Sequence, residues 1–152
     1  MNRAHKSINH VLVRLFNDIL DIEERALSAG EFSDASVREM HVLEAASAEL
    51  EGNSMSAIAT RLGITVGSLT VAVTTLERKG YLRRERSTDD RRVVRVLLTE
   101  RGRQANERHA AFHAAMVDQI QRSLSGGQLE VLAEALERII EFFEQHSLET
   151  GV

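Results

Sequence analysis

The sequence predicts a mainly α-helical fold with one small β-hairpin, and three observations support this fold class. Apolar residues recur every three or four positions through most of the 152-residue chain, which is the period of an amphipathic helix. The chain has no proline and no cysteine, which indicates a single domain without a linker and excludes a disulfide scaffold. Only one stretch, residues 81–98, is instead rich in β-branched and apolar residues on either side of a polar turn.

The stretch 54–78 predicts two short helices joined by a tight turn. Ser54 and Thr65 are good helix caps, because a side-chain hydroxyl can accept a hydrogen bond from a free amide at a helix start. Gly63 stands where a left-handed residue would end the first helix. The second helix, over residues 66–78, has an apolar stripe at helical spacing on one face. This pattern is typical of a helix-turn-helix.

The opposite face of the second helix is expected to meet DNA. Its residues are small, hydroxylated or apolar, and none is charged before Glu77. Hydroxyls and methyl groups suit a helix that lies against base edges in a major groove, although a solvated helix face is the alternative. The DNA-contacting residues that we predict for the two helices are Ser54, Thr65, Gly67, Ser68, Thr70, Val71, Thr74 and Thr75.

A basic β-hairpin is predicted after the second helix. Residues 81–86 and 92–98 have the composition of strands, and the polar residues between them are turn formers. Arginines at the end of such a hairpin can reach phosphates or a narrow minor groove. We therefore predict a winged helix-turn-helix over residues 36–98, with wing contacts from Arg86, Arg91 and Arg92.

The net charge of −4 is unexpected for a chain that binds DNA, but the charge is unevenly distributed. Residues 54–104 contain 11 Lys and Arg against 5 Asp and Glu, a net charge of +6, which leaves −10 on the rest of the chain. Six of these arginines fall within residues 83–95. The positive charge is therefore concentrated on the segment that would meet phosphates, and its location matters more than the sum.

These motifs resemble those of the MarR family of winged-helix regulators. The runs LG-I-T, LERKG, DDRR and LLTERG follow one another in the order and at the spacing of that family. The resemblance covers nearly the whole chain. It implies that residues 66–78 are the recognition helix and that Arg92 is the wing arginine, with Asp90 as its orienting partner.

The terminal segments predict long helices with more apolar surface than a small DNA-binding module can cover. Apolar residues recur at helical spacing within residues 7–28 and 100–147. Such faces favour a homodimer, although packing within one chain is the alternative. The family resemblance implies a single MarR-like domain over residues 1–152, dimerised through these helices on an inverted-repeat operator.

A closer resemblance suggests an effector. The runs IEERAL, SVREMHVL, LERKGY, DRRVV and FHAAMV resemble the MarR-type repressors of fatty-acid synthesis genes in Gram-positive bacteria. That resemblance implies an acyl chain, delivered on acyl carrier protein, in an apolar tunnel with histidines at its mouth. Ordinary core packing is the alternative for the apolar residues. The candidate ligand-binding residues are Leu15, Phe16, Ile19, Met40, His41, His109, Phe112, His113 and Met116.

Zinc is a second candidate effector. His109 and His113 are four residues apart and share a helix face, although such pairs also occur by chance. Zinc-responsive members of the family use a histidine on the second helix, two on the fifth and a nearby glutamate, which correspond here to His41, His109, His113 and Glu24. We prefer the acyl effector and expect no required cofactor. A regulator of efflux or stress genes that responds to a small aromatic ligand is a further alternative.

Other classes of function fit the sequence less well. The chain has no cysteine nucleophile and no glycine-rich phosphate loop, and residues 109–113 read HAAFH rather than the HExxH of zinc hydrolases, so we expect no enzyme. A pure dimerisation adaptor would leave the basic hairpin without a role. The N-terminus lacks a signal-peptide core, and no run is long and apolar enough to span a membrane. We therefore expect a cytoplasmic repressor of transcription that binds double-stranded DNA and no membrane.

Overall fold

The fold is mainly α-helical with a single hairpin, as predicted. A computed structural model describes residues 3–47 and 53–150. By its internal contacts the chain forms two compact units, residues 1–112 and 113–152, and the expectation of one domain over the whole chain stays a prediction. The elements in chain order are α1 (Arg3–Ser28), α2 (Val37–Ala46), α3 (Met55–Leu62), α4 (Val66–Arg78), β1 (Leu82–Arg86), β2 (Val94–Leu98), α5 (Glu100–Ser123) and α6 (Gly126–Thr150).

Local signals set the bounds of the helix-turn-helix formed by α3 and α4. Ser54 and Thr65 cap these helices, because each side-chain oxygen accepts a 3.1 Å hydrogen bond from the amide three residues later. Gly63 ends α3 with a φ of +64°, in the left-handed region that favours glycine. The predicted recognition helix over residues 66–78 is therefore found as α4.

The core of the first unit lies between α2, α3, α4 and the hairpin. Leu69, Val73 and Leu76 form the predicted apolar stripe of α4, and each is fully buried. Burying such a side chain contributes about 1.5–3 kcal/mol, so this stripe decides which face of α4 turns inward. The largest fully buried side chains are Tyr81, Met40, Leu43, Ile58, Leu69, Leu76, Val73 and Val96.

The hairpin is antiparallel and is attached at its base to the start of α5. Leu82 pairs with Leu98 at the base. The amide of Thr99 donates to the Tyr81 carbonyl oxygen over 3.0 Å. A Cβ atom on Gly102 would lie 3.1 Å from the Tyr81 carbonyl carbon and closer still to its oxygen, so glycine is needed for this approach.

Apolar side chains on the terminal helices are exposed in the single chain. On α1 of the first unit Phe16 is 64% exposed, and on α6 of the second unit Phe143 is 60% exposed. No single helix in the described ranges is long and apolar enough to cross a membrane, and the one bent pair that reaches that threshold is α3 with α4, at 107° to each other.

Candidate functional site

The face of α4 opposite the core carries most of the predicted DNA-contacting residues. Gly67, Ser68, Thr70, Val71 and Thr74 are exposed, and Thr75, the sixth predicted residue of this helix, is half-buried. The hydroxyls of Thr70 and Thr74 each donate to the carbonyl four residues earlier over 2.7 Å. Their methyl groups and remaining oxygen lone pairs therefore form a small, uncharged surface of the kind that fits base edges.

The two capping residues are already engaged within the protein. The side-chain oxygens of Ser54 and Thr65 accept hydrogen bonds from helix amides, and Ser54 is half-buried while Thr65 is exposed. Both lie at helix N-termini, where free amides and the helix dipole favour an anion such as phosphate. Their predicted role in DNA contact stays a prediction.

The wing carries three arginines at or near its end. Arg86, Arg91 and Arg92 are exposed, and within the described ranges none of these side chains has a hydrogen-bond or ion-pair partner. Asp90 Oδ1 accepts a 2.9 Å hydrogen bond from the backbone amide of Arg92. Asp90 thus orients Arg92 through the backbone of the turn, which leaves the guanidinium available for phosphate or the minor groove.

A hydrogen-bond network joins β1 to α4 and was not predicted from the sequence. Glu77 accepts hydrogen bonds from both the amide and the guanidinium of Arg84, and the same guanidinium reaches Thr70 and Thr74. Glu77 lies on α4 and Arg84 lies on β1, and tertiary packing sets how these two elements contact each other. Sequence spacing alone gave no signal for their contact.

A cavity of about 370 Å³ lies in the first unit between α1, α2 and α5. The predicted tunnel residues Met40, His109 and Phe112 line it. Leu15, Phe16 and Ile19 do not, because the cavity meets α1 only near its C-terminal end. His113 and Met116 belong to the second unit. The lining residues are Glu23, Ala26, Leu27, Gly30, Phe32, Met40, Ala105, Arg108, His109, Ala111 and Phe112.

A carboxylate and two histidines meet beside this cavity. Glu23 Oε1 lies 2.5 Å from His109 Nε2 and 3.6 Å from His41 Nε2, and Glu23 and His109 are both buried. The structure corrects the expectation that Glu24 is the carboxylate of this group: Glu24 is exposed. One residue turns a helix by about 100°, so Glu23 points inward from α1 where Glu24 does not. His113 follows His109 by four residues on α5.

The fold and the site define a winged helix-turn-helix DNA-binding protein, with a recognition helix and a basic wing. The model of the MarR family matches residues 36–94. The chain belongs to the MarR family, since it is also 36% identical to Streptococcus pneumoniae FabT, solved in complex with DNA, over 93% of this chain and 98% of that one, with a TM-score of 0.86. It is therefore a DNA-binding transcriptional regulator and not an enzyme.

Other solved structures share the fold at lower identity. The regulator BldR from Sulfolobus solfataricus is 26% identical over 93% of this chain and 99% of that one, with a TM-score of 0.68. S. aureus MepR, solved with DNA, is 18% identical over 90% and 97%, with a TM-score of 0.76, which shows the fold alone. Comparison with curated protein sequences gives no significant match.

Proposed function

We propose that this protein is a homodimeric repressor of fatty-acid synthesis genes, and that a long-chain acyl group on acyl carrier protein is its effector. Two observations support the proposed set of target genes. The sequence resembles repressors of those genes, and it is 36% identical to FabT. The observation that carries the effector is the largely apolar cavity of about 370 Å³, a volume within the usual range of ligand sites.

The lining of the cavity suits an acyl chain that ends in a polar group. Leu27, Phe32, Met40 and Phe112 supply apolar surface. Arg108, also in the lining, is exposed, and its guanidinium offers a partner to the acidic groups of a carrier protein. We expect the acylated carrier to tighten operator binding by favouring the DNA-binding conformation.

The exposed apolar faces of α1 and α6 support a second copy of the chain as partner. Large apolar side chains left in water favour association, and symmetric dimers are the commonest solution. Two copies of α4 would then meet half-sites about one turn of DNA apart, on an inverted-repeat operator. Sedimentation tests this directly, and a monomer at micromolar concentration would contradict it.

The effector is tested by measuring operator affinity with long-chain acyl carrier protein, against the unacylated carrier as control. Ala111 lines the cavity and the adjacent Ala110 does not, although both are exposed on α5. We expect Ala111→Phe to lose the effect of the acylated carrier while it keeps its basal DNA affinity. Ala110→Phe should keep both. An effect that survives equally in the two variants would place the acyl group elsewhere.

The target genes need a separate experiment. Chromatin immunoprecipitation from cells that produce the protein should recover promoters of fatty-acid synthesis genes. Recovery of promoters for metal transporters or efflux pumps alone would reject the proposed gene set and leave the DNA-binding role intact.

Zinc binding is a second candidate, favoured by the cluster of Glu23, His41 and His109. Their ligand atoms lie within 4.8 Å of one another, and nitrogen and carboxylate ligands suit Zn²⁺. However, two ligands of a tetrahedral zinc ion are about 3.3 Å apart, and Glu23 and His109 are already in direct contact at 2.5 Å. This direct hydrogen bond would have to break before both residues could bind the same zinc ion.

The two effectors are distinguished by adding zinc or a chelator to the operator-binding measurement. We expect no change with either. Zinc-dependent binding that is abolished by His41→Ala and by His109→Ala would replace the acyl proposal with a zinc-responsive regulator.

A further inference from the structure

We propose that Arg84 is a positioning residue for sequence recognition: it holds the wing and the recognition helix in one fixed geometry and does not itself bind a phosphate. This inference rests on DNA binding through α4 and the wing, as in the proposed function. It assigns to Arg84 a role that differs from that of the other wing arginines.

Arg84 makes four hydrogen bonds to α4. Its backbone amide donates to Glu77 Oε1 over 2.8 Å, and its Nη1 donates to Glu77 Oε2 over 2.7 Å. Its Nη2 donates to Thr74 Oγ1 over 2.8 Å and to the Thr70 carbonyl oxygen over 3.2 Å. One side chain therefore joins β1 to two successive turns of α4.

This arrangement uses the geometry of a guanidinium. The guanidinium is planar and carries two terminal nitrogens. One nitrogen can therefore bind the Glu77 carboxylate while the other binds Thr74. A lysine ammonium is a single point and cannot reach both groups together. The Arg84 side chain is 28% exposed, whereas Arg86, Arg91 and Arg92 are exposed and have no partner in the described ranges.

The pairing also neutralises an acidic group at the DNA-facing surface. Glu77 is the only acidic residue of α4, and an unpaired carboxylate there would repel phosphates. With Arg84 bound to Glu77, the two charges beside Thr70 and Thr74 cancel each other. Affinity for phosphate then comes from the end of the wing, and base discrimination comes from a helix whose position relative to that wing is fixed before binding.

The test requires a variant that removes the network at constant net charge. Glu77→Gln with Arg84→Met does so. A matched control is Arg83→Met with Glu85→Gln, because Arg83 and Glu85 form an ion pair on the same strand that is exposed at both side chains. Circular dichroism and urea unfolding establish that each variant is folded.

Binding is measured by fluorescence anisotropy on a duplex that the wild-type protein selects from a random pool, and on a scrambled duplex of the same length. Wild-type preference for the selected duplex establishes the DNA-binding function independently. Affinity is followed from about 50 to 200 mM salt, because each phosphate contact contributes about −0.9 to the slope of log K against log salt.

We expect the Glu77/Arg84 variant to lose about tenfold in the ratio of selected to scrambled affinity, with an unchanged salt slope. The Arg83/Glu85 control should keep that ratio within about twofold. A slope that falls by about 0.9 would make Arg84 a phosphate contact and overturn the proposal. An unchanged ratio, or an equal loss in the control, would overturn it as well.

Arg84→Lys provides a second, milder variant if the double variant does not fold. This substitution keeps the positive charge but loses the planar guanidinium. We expect a reduced ratio at an unchanged slope, whereas binding equal to wild type would show that charge alone matters at this position and reject the positioning role.

Discussion

The phenol oxygen of Tyr81 lies 2.5 Å from Asp34 Oδ1, and the hydroxyl donates to that carboxylate. Arg101 contacts both residues. Its Nη2 lies 2.9 Å from Asp34 Oδ1, and its guanidinium carbon lies 4.5 Å from the centroid of the Tyr81 ring. Asp34 precedes α2, Tyr81 immediately precedes β1, and Arg101 lies in the first turn of α5. This buried tyrosine therefore joins three segments at the base of the wing.

The ionisation of Tyr81 should report on this junction. Burial, together with the hydrogen bond to Asp34, raises the pKa of Tyr81 to about 12. Tyr81 is the only tyrosine and the chain has no tryptophan, so ultraviolet absorbance follows this group alone. We expect a titration midpoint near 12 in the folded protein and near 10 in urea.

The direction of the linked stability follows from that difference. The folded pKa of Tyr81 is above the unfolded value, so its contribution to stability is fully present below about pH 10 and is lost as the pH rises towards 12. Asp34→Asn should lower the Tyr81 pKa, because it removes the charge and weakens the hydrogen bond. A midpoint near 10 in the folded wild-type protein would contradict this account.

Arg92→Ala should weaken binding to all DNA sequences. Its guanidinium has no partner in the described part of the chain, and Asp90 holds the turn that presents it. Removing one phosphate contact should reduce the salt slope by about 0.9. Arg138→Ala, which removes an equal charge from α6, serves as the control. Affinities of Arg92→Ala equal to those of the wild type on selected and scrambled DNA would reject the wing assignment.

Thr70→Ala should relax preference at particular base pairs. Its side chain is exposed on α4, and in the predicted complex its methyl group and hydroxyl would face the major groove. We expect a loss of discrimination of about 1 kcal/mol at one position of each half-site and little change elsewhere. Selection from a random pool measures this. Ser123→Ala removes a hydroxyl with the same contact to a carbonyl four residues earlier, on α5, and should leave the preferred sequence unchanged.

Gly102→Ala should destabilise the fold. The added methyl group would collide with the Tyr81 carbonyl, and relieving such a clash by backbone movement costs about 1–3 kcal/mol. Gly127 in α6 is the comparison, because nothing lies within 4 Å of the position of its Cβ. Gly127→Ala should stabilise by up to about 1 kcal/mol. Urea unfolding measures the free energy of unfolding of each variant. Equal changes in the two variants would show that the backbone at Gly102 can move away from Tyr81 at little cost.

Much of the fold was predictable because its signals are local. Ser54, Gly63 and Thr65 act within one helical turn of their own positions, so the bounds of α4 follow from the sequence. The same holds for the hairpin, whose strands differ from the prediction by only one or two residues at their ends.

The parts that were missed depend on packing between distant segments. The choice of Glu23 over Glu24 depends on how α1 is rotated against α5, which neither helix sets alone. The contact of Arg84 with Glu77 depends on the register and tilt of β1 against α4. The extent of the cavity depends on where α1, α2 and α5 meet. Leu15 and Phe16 have the apolar side chains expected of a tunnel, but they lie outside this cavity.

The close approach of Gly102 to Tyr81 has a mechanical consequence. The first turn of α5 and the base of the hairpin cannot separate without breaking the Thr99 hydrogen bonds, and further along the same helix His109 and Phe112 line the cavity. The base of the wing is therefore attached to the same helix that lines the cavity. A molecule that fills the cavity and tilts the helix would swing the arginines by a distance that grows along the length of the hairpin.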